Sequence, residues 1–369
     1  MRIALVHDWL AVQGGAERVT RELIDLFDPD VFALVDFLTP EARQEVLAGR
    51  RARTTFIQHL PFARTHFRSY LPLFPMAIER LDLRGYDLVL SASYAVAKGV
   101  RTHPGQVHLS YIHTPMRYAW VMEDDYLRDH GMHGVKGFIL RRVLNRLRQW
   151  DRTNTDRITC LVANSHTTAD RIRTCYGRGA HVVHPPVDLE RFTPGPAPRD
   201  HYLAVSRLVP YKRVDRIIDA FRAMPDRRLV LCGDGPERAR LLNELPSNVR
   251  WAGEVPHEEL VHLMRSAHAL VAAAHEDFGL TPLEANACGT PVIALGAGGY
   301  LETVVDGETG LFFPSADGAS IREAVERFER TGVRCGPDEL RAHAARSGRE
   351  VFRTAMREAV DQCLKHAAR

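Results

Sequence analysis

The sequence predicts an α/β protein made of two doubly wound parallel-sheet domains facing a cleft. Three observations carry this. Short apolar runs alternate with helical segments along the chain, the alternation restarts after one proline-rich linker, and 369 residues exceed one comfortable core. A composition of 45% hydrophobic and 26% charged residues is that of an ordinary globular chain.

The first half opens on the buried-strand run Ile3–Val6, then a loop holding Gly14 and Gly15. A helix follows from about Ala16 to Phe27, with Val19, Leu23, Ile24 and Phe27 at core-facing spacing. Further strands are predicted at 31–37, 87–91, 107–112 and 158–163. Each is short, apolar and followed by turn or helix-start residues, as parallel strands covered on both faces are. Thr193-Pro194-Gly195-Pro196-Ala197-Pro198 cannot be regular structure, because its prolines lack a backbone donor and fix φ. Beyond it, strands are predicted at 202–205, 228–232, 249–251, 269–272 and 291–294. The domains are therefore read as 1–197 and 198–349. Such sheets bind ligands outside the carboxyl ends of their strands, which puts the expected site in the cleft.

Bulk properties exclude several classes. With 49 basic against 46 acidic side chains, the net charge of +3 is too even to indicate nucleic acid as a partner. No apolar run approaches the roughly 20 residues that a membrane-spanning helix needs. The opening Met1–Asp8 meets charged and polar residues too soon for a signal peptide's apolar core. The six cysteines, at 160, 175, 232, 288, 335 and 363, form no C-x-x-C pair. Scattered thiols suit a reducing cytoplasm better than a disulfide scaffold or a zinc site. A cytoplasmic location is expected.

The most specific local signal is Glu276-Asp277-Phe278-Gly279-Leu280-Thr281-Pro282-Leu283-Glu284, at the end of a predicted strand. Pro282 suits a first helical turn, where its missing N–H would have no partner. Free N–H groups at that helix start can hold phosphate oxygens. Glu276 can accept from sugar hydroxyls, and Glu284 can reach a ribose diol. Arg207 and Lys212 follow another strand directly, at the same edge.

The context E-D-F-G-L-T-P-L-E-A-N-A-C-G-T-P-V-I closely resembles the signature of glycosyltransferase family 4, retaining enzymes of the GT-B fold. The resemblance runs over nearly the whole chain. The stretches H-D-W-L, G-G-A-E-R-V, H-T-P-M-R-Y-A-W and S-R-L-V-P-Y-K-R-V-D resemble a bacterial polysaccharide-assembly branch that includes O-antigen mannosyltransferases. The usual E-A-M-A reads here as Glu284-Ala285-Asn286-Ala287, a departure that leaves both glutamates in place.

The resemblance implies roles residue by residue. Arg207 and Lys212 match the pair that neutralises the donor diphosphate, whose charge grows as it leaves. His113 matches a histidine at the donor sugar, and Gly14 and Gly15 match a glycine loop near donor phosphate and acceptor. Gly253, Glu254 and Val255 match the loop that reads the nucleobase. Phe278, Gly279, Leu280 and Thr281 match a turn acting through backbone amides, and Asn164 lies near the donor. In this fold the last helix, here about 350–369, crosses back to the first domain.

The implied mechanism reacts on one face of the sugar, the departing phosphate oxygen taking the acceptor proton. No paired carboxylates of the retaining-glycosidase kind are evident. No cofactor and no metal are expected: Asp28-Pro29-Asp30 reads as a turn, and Glu123-Asp124-Asp125 as a solvated helix start. The partners implied are a nucleotide-sugar donor, with GDP-mannose ahead of UDP- and dTDP-sugars, and a glycan or polyprenyl-linked acceptor. Two basic, apolar stretches, 51–84 and 136–148, fit either a helix packed on the first sheet or peripheral docking on the inner membrane's cytoplasmic face. Among rivals, a dinucleotide enzyme lacks its third glycine after Gly233 and after Gly296. A sugar-nucleotide epimerase of the same layout fits the paired-glutamate context poorly.

Overall fold

A computed structural model describes residues 1–11, 14–120 and 134–368; the run Glu123–Asp125 lies outside them. The chain divides into two compact units, Met1–Pro185 with Phe352–Arg369, and Pro186–Val351. In the first, seven parallel strands run in the order β3-β2-β1-β4-β5-β6-β7. They are β1 Ile3–His7, β2 Asp30–Ala33, β3 Arg53–Thr54, β4 Leu88–Ser93, β5 Val107–Ile112, β6 Cys160–Ala163 and β7 His181–Val182. The second unit has six parallel strands in the order β10-β9-β8-β11-β12-β13. These are β8 His201–Val205, β9 Leu229–Cys232, β10 Val249–Gly253, β11 Ala267–Ala272, β12 Val292–Leu295 and β13 Gly310–Phe313.

The central strands are buried along their length, which explains their continuous apolar spelling. Strands β3 and β7 escape sequence reading because they have two residues each, none of them buried, at sheet edges; β13, four residues and mostly buried, is missed as well. The run predicted to continue to 37 leaves the β1 ladder at Ala33. Leu34 N then donates to Asp8 O (3.1 Å), and Val35 O accepts from Leu10 N (2.9 Å).

The proline-rich stretch is irregular, but it is not the boundary. Val187 and Phe192 are buried in the second unit's core. Three arginines take up carbonyls that no ladder satisfies. Arg341 donates to Leu189 O (3.0 Å) and Phe192 O (2.9 Å), Arg265 to Thr193 O (2.7 Å), and Arg199 to Gly289 O (2.7 Å). Residues 186–198 thereby belong to the second unit, and the division falls at 185/186 instead of 197/198.

The last helix, Arg349–Ala367, buries Phe352, Met356, Ala359, Val360 and Cys363 in a first-unit core with Leu5, Leu23 and Tyr111. Arg353 Nε donates to Glu22 (2.8 Å). Cys363 forms a disulfide with Cys160 of β6, Cα to Cα 5.8 Å and 203 positions apart. That corrects the reading of six scattered thiols: pairing between distant cysteines is set by the helix's docking and leaves no spacing motif.

Asp8, fully buried just after β1, accepts four backbone N–H groups from the turn after β4: Tyr94 (2.6 Å), Ala95 (2.9 Å), Val96 (2.5 Å) and Ala97 (2.6 Å). Hydrogen bonds to a charged acceptor contribute about 1.5–3 kcal/mol, and orphaning several buried donors costs more than losing one. Asp8→Ala should lower the unfolding free energy by about 3 kcal/mol or more, read as a reduced urea midpoint. Alkylation of the denatured chain without reductant should label four cysteines, the free thiols 175, 232, 288 and 335, and all six after reduction.

Candidate functional site

In the second unit the candidate residues gather at the carboxyl edge of the sheet. After β8 the chain passes exposed Arg207 and a single 3-10 turn, Pro210–Lys212, which brings Lys212 to Glu276 beyond β11. Lys212 Nζ and a Glu276 carboxylate oxygen form an ion pair, both side chains partly buried. The helix Leu280–Ala287 begins at Gly279, whose φ is +102°. A Cβ there would stand 2.8 Å from the Tyr300 ring, so the turn accepts only glycine. Phe278 is sunk in the core and Leu280 packs against it, leaving the turn to act through its main chain. Thr281 lies in the helix's first turn, whose N–H groups have no side-chain cap. Glu284 is buried further along this helix. Gly253 ends β10 with φ +75°, followed by exposed Glu254 and by Val255 against the core.

One positioning device went unread. Gly233-Asp234-Gly235 after β9 figures in the sequence only as a failed dinucleotide motif. Here a Cβ on Gly233 would lie 2.0 Å from Ser206 O, and one on Gly235 2.3 Å from Leu208 O. Ser206 N donates to Cys232 O (3.0 Å) and Leu208 N to Asp234 O (2.9 Å). The loop therefore clamps both neighbours of Arg207. The usable signal was two glycines directly after a strand.

The first unit's carboxyl edge is a layer of buried polar groups. His113 follows β5; its Nε2 is buried without a hydrogen-bond partner among the described residues. Its ring lies 5.1 Å from Tyr111 and 6.1 Å from Tyr94. Burial first, and then the electrostatic influence of the neighbouring His7 ring, push its pKa down to about 3. It is thus a neutral imidazole at working pH, with a polar atom awaiting a partner. Gly14, in extended backbone, precedes the helix Gly15–Phe27, and both glycines are exposed. Asn164 is buried after β6, its Oδ1 accepting from Ser165 Oγ (3.2 Å). Sequence reading passed over His7, Glu17 and Tyr94 in this layer, although the first two stand in the quoted H-D-W-L and G-G-A-E-R-V. Asp28 closes the first helix in left-handed conformation and Asp30 accepts from Tyr86 OH (2.5 Å), the turn that their spacing predicts.

Solved structures share this architecture. Sucrose-phosphate synthase from Thermosynechococcus elongatus matches with a TM-score of 0.75 at 20% identity, covering 99% of this chain and 100% of that one. Anabaena HepE in complex with UDP-glucose matches at 0.69 and 17%, covering 98% and 100%. The class is thus the two-domain GT-B fold of glycosyltransferases. Residues 13–191 match Glycosyltransferase Family 4 and residues 190–351 match Glycosyl transferases group 1. The chain belongs to this glycosyltransferase family.

Curated relatives agree over part of their length. A D-inositol 3-phosphate glycosyltransferase of Frankia alni is 37% identical over 179 residues, 40% of this chain and 44% of that protein. A GDP-mannose-dependent alpha-(1-6)-phosphatidylinositol monomannoside mannosyltransferase of Mycolicibacterium smegmatis is 34% identical over 192 residues, 44% and 50%. The matched stretches span half or less of these relatives.

His113 makes a pH prediction. Its folded pKa of about 3 lies below its unfolded value of 6.5, so between these the unfolded chain binds the extra proton and stability falls as pH falls. Buried His108, also pushed down to about 3, adds to the slope. Replacing His113 by Gln should flatten the loss of stability between pH 6 and 4 by up to about 1.4 kcal/mol per pH unit, measured by urea unfolding across that range.

Proposed function

We propose that the protein is a retaining, metal-independent glycosyltransferase. It moves a sugar, with mannose from GDP-mannose the first choice, to a lipid-linked or oligosaccharide acceptor in polysaccharide or glycoconjugate assembly. The observation that carries this reading is the Lys212–Glu276 pair beside the helix that Gly279 opens. A departing nucleoside diphosphate accumulates negative charge, and catalysis of its departure is chiefly electrostatic. Arg207 and Lys212 supply fixed cations, and the uncapped N–H groups at Leu280 and Thr281 supply the positive end of a helix. Glu276 orients the Lys212 ammonium and accepts from sugar hydroxyls, while Glu284 meets the ribose. Gly253, Glu254 and Val255 read the base, largely through the main chain. In the first unit, neutral His113 offers Nε2 as a hydrogen-bonding group that leaves the developing charge on the diphosphate. The donor choice is supported by the relative whose name specifies GDP-mannose.

The acceptor side falls to the first unit. In the helix Gly134–Thr155, Leu144 and Leu147 are buried while Phe138 and Ile139 are 62% and 57% exposed. The Arg142 guanidinium lies 6.0 Å from the Phe138 ring, and Arg141 and Arg146 flank it in sequence. An outer face of aromatic, aliphatic and basic groups suits the headgroup region of an anionic bilayer. This supports peripheral docking at the cytoplasmic face; none of the described helices is long and apolar enough to cross a membrane.

A thermal-shift panel with GDP, UDP, ADP and dTDP in EDTA tests the reading. A nucleotide at a hundred times its Kd stabilises by about 2.7 kcal/mol. GDP should raise the melting temperature, and Lys212→Ala should abolish the shift. Incubation with GDP-mannose and a polyprenyl-linked acceptor should then yield a product whose anomeric NMR coupling matches the donor's. No shift with any nucleotide would overturn the assignment; a UDP or dTDP shift, or sugar epimerisation without acceptor, would redirect it.

A further inference from the structure

We propose that Glu17 is a positioning residue for this transfer, acting through His7 to seat the Gly14–Gly15 loop and the ring layer that ends at His113; the proposal rests on the transferase reading above. Glu17 lies in the first turn of the helix Gly15–Phe27, where a glutamate ordinarily faces water, yet it is only 4% exposed. Its Oε1 is 3.3 Å from His7 Nε2. Its other oxygen, Oε2, would lie 3.0 Å from a Cβ placed on Gly14. The carboxylate is therefore wedged between a buried imidazole and the glycine loop.

The hydrogen bonds define how the pair works. An ionised carboxylate can only accept, so Nε2 of His7 carries the proton. Nδ1 then stands 3.0 Å from Thr20 Oγ1, whose hydroxyl can donate to it. One neutral tautomer satisfies both contacts and fixes the ring plane. The same ring meets Tyr94 edge-on at 5.8 Å, and Tyr94 in turn lies 6.1 Å from His113. His7 ends β1, and Tyr94 and His113 follow β4 and β5, three strands that are neighbours in the sheet. Glu17, His7, Tyr94 and His113 thus form one line along the carboxyl edge, with the glycine loop at one end and the orphan Nε2 at the other.

Burying a carboxylate is costly unless its partners are held in place. The helix does not require it, since a Ser or Asp at the cap position would satisfy its N–H groups from the surface. The cost is explained if the buried carboxylate sets the height of Gly14 and the tilt of His7. Glu17 then affects the transfer step and leaves nucleotide binding, assigned to the second unit, intact.

The test uses the full chain with Glu17→Ala, Glu17→Gln, His7→Ala and the Glu17→Ala/His7→Ala double variant, measuring kcat, donor KM and nucleoside diphosphate binding. Glu17→Ala should lower kcat about tenfold or more while diphosphate affinity stays within about twofold. Glu17→Gln keeps an acceptor for Nε2–H and should recover most of the loss. The double variant should be no slower than the worse single one, as expected of groups acting in series. Gly14→Ala, whose φ of −162° alanine adopts freely, presses on the same carboxylate and should repeat the kcat defect even where Glu17→Ala fails to fold. Unchanged turnover in Glu17→Ala, a loss that Gln does not recover, or a parallel loss of diphosphate binding would overturn the proposal. A wild-type protein that binds no nucleoside diphosphate would overturn the transferase reading instead.

Discussion

The first unit depends on one buried carboxylate. Asp8 gathers four N–H groups from the turn that follows β4, and so ties the exits of two adjacent strands together. That turn leads into Lys98, whose ammonium pairs with Asp151 at 2.6 Å, neither side chain reaching solvent. The other Asp151 oxygen accepts from Trp120 Nε1 (2.8 Å) and Tyr176 OH (2.7 Å). One chain of buried polar contacts thereby runs from β1 through the turn to the helices Gly134–Thr155 and His166–Tyr176. Buried charges persist only where every partner is present, so this network demands one arrangement of the strand ends. The level edge on which His7, Tyr94 and His113 stand is its by-product.

The second unit levels its edge by steric means. Glycines after β9 let the segment around Arg207 pass within van der Waals contact of the next loop, and Gly279 lets the turn after β11 press on Tyr300. Its cations keep some access to solvent, the partly buried Lys212–Glu276 pair at 19% and 17% exposure and Arg207 exposed, while Glu284 is buried. The two edges differ as their proposed tasks do. A diphosphate that must arrive and leave is best met by accessible cations on a rigid backbone. A neutral histidine that must stay neutral needs a dry, crowded layer.

Much of this was legible in the letters, for a physical reason. Period, apolar runs and turn residues are local properties, and strands buried on both faces spell themselves continuously, so β1, β5 and β9 could be read almost to the residue. The candidate residues were legible by the same logic, because parallel sheets deliver strand ends to one edge: His113, Arg207 and Glu276 each follow a strand and Gly253 ends one. Edge strands such as β3 and β7, two residues each, carry too little periodicity to announce themselves.

By itself the sequence determined two alternating α/β units, the family signature around Glu276 and Glu284, and which residues stand at strand ends. Tertiary structure alone decided what those residues touch. Cys160 meets Cys363, Asp8 meets the turn after β4, Arg341 clasps Leu189 and Phe192, and Glu17 turns inward to His7. Pairings across tens to hundreds of positions depend on sheet order and on helix docking. Neither leaves a periodic trace in the chain, because the energy of a long-range contact belongs to two segments jointly and to neither alone.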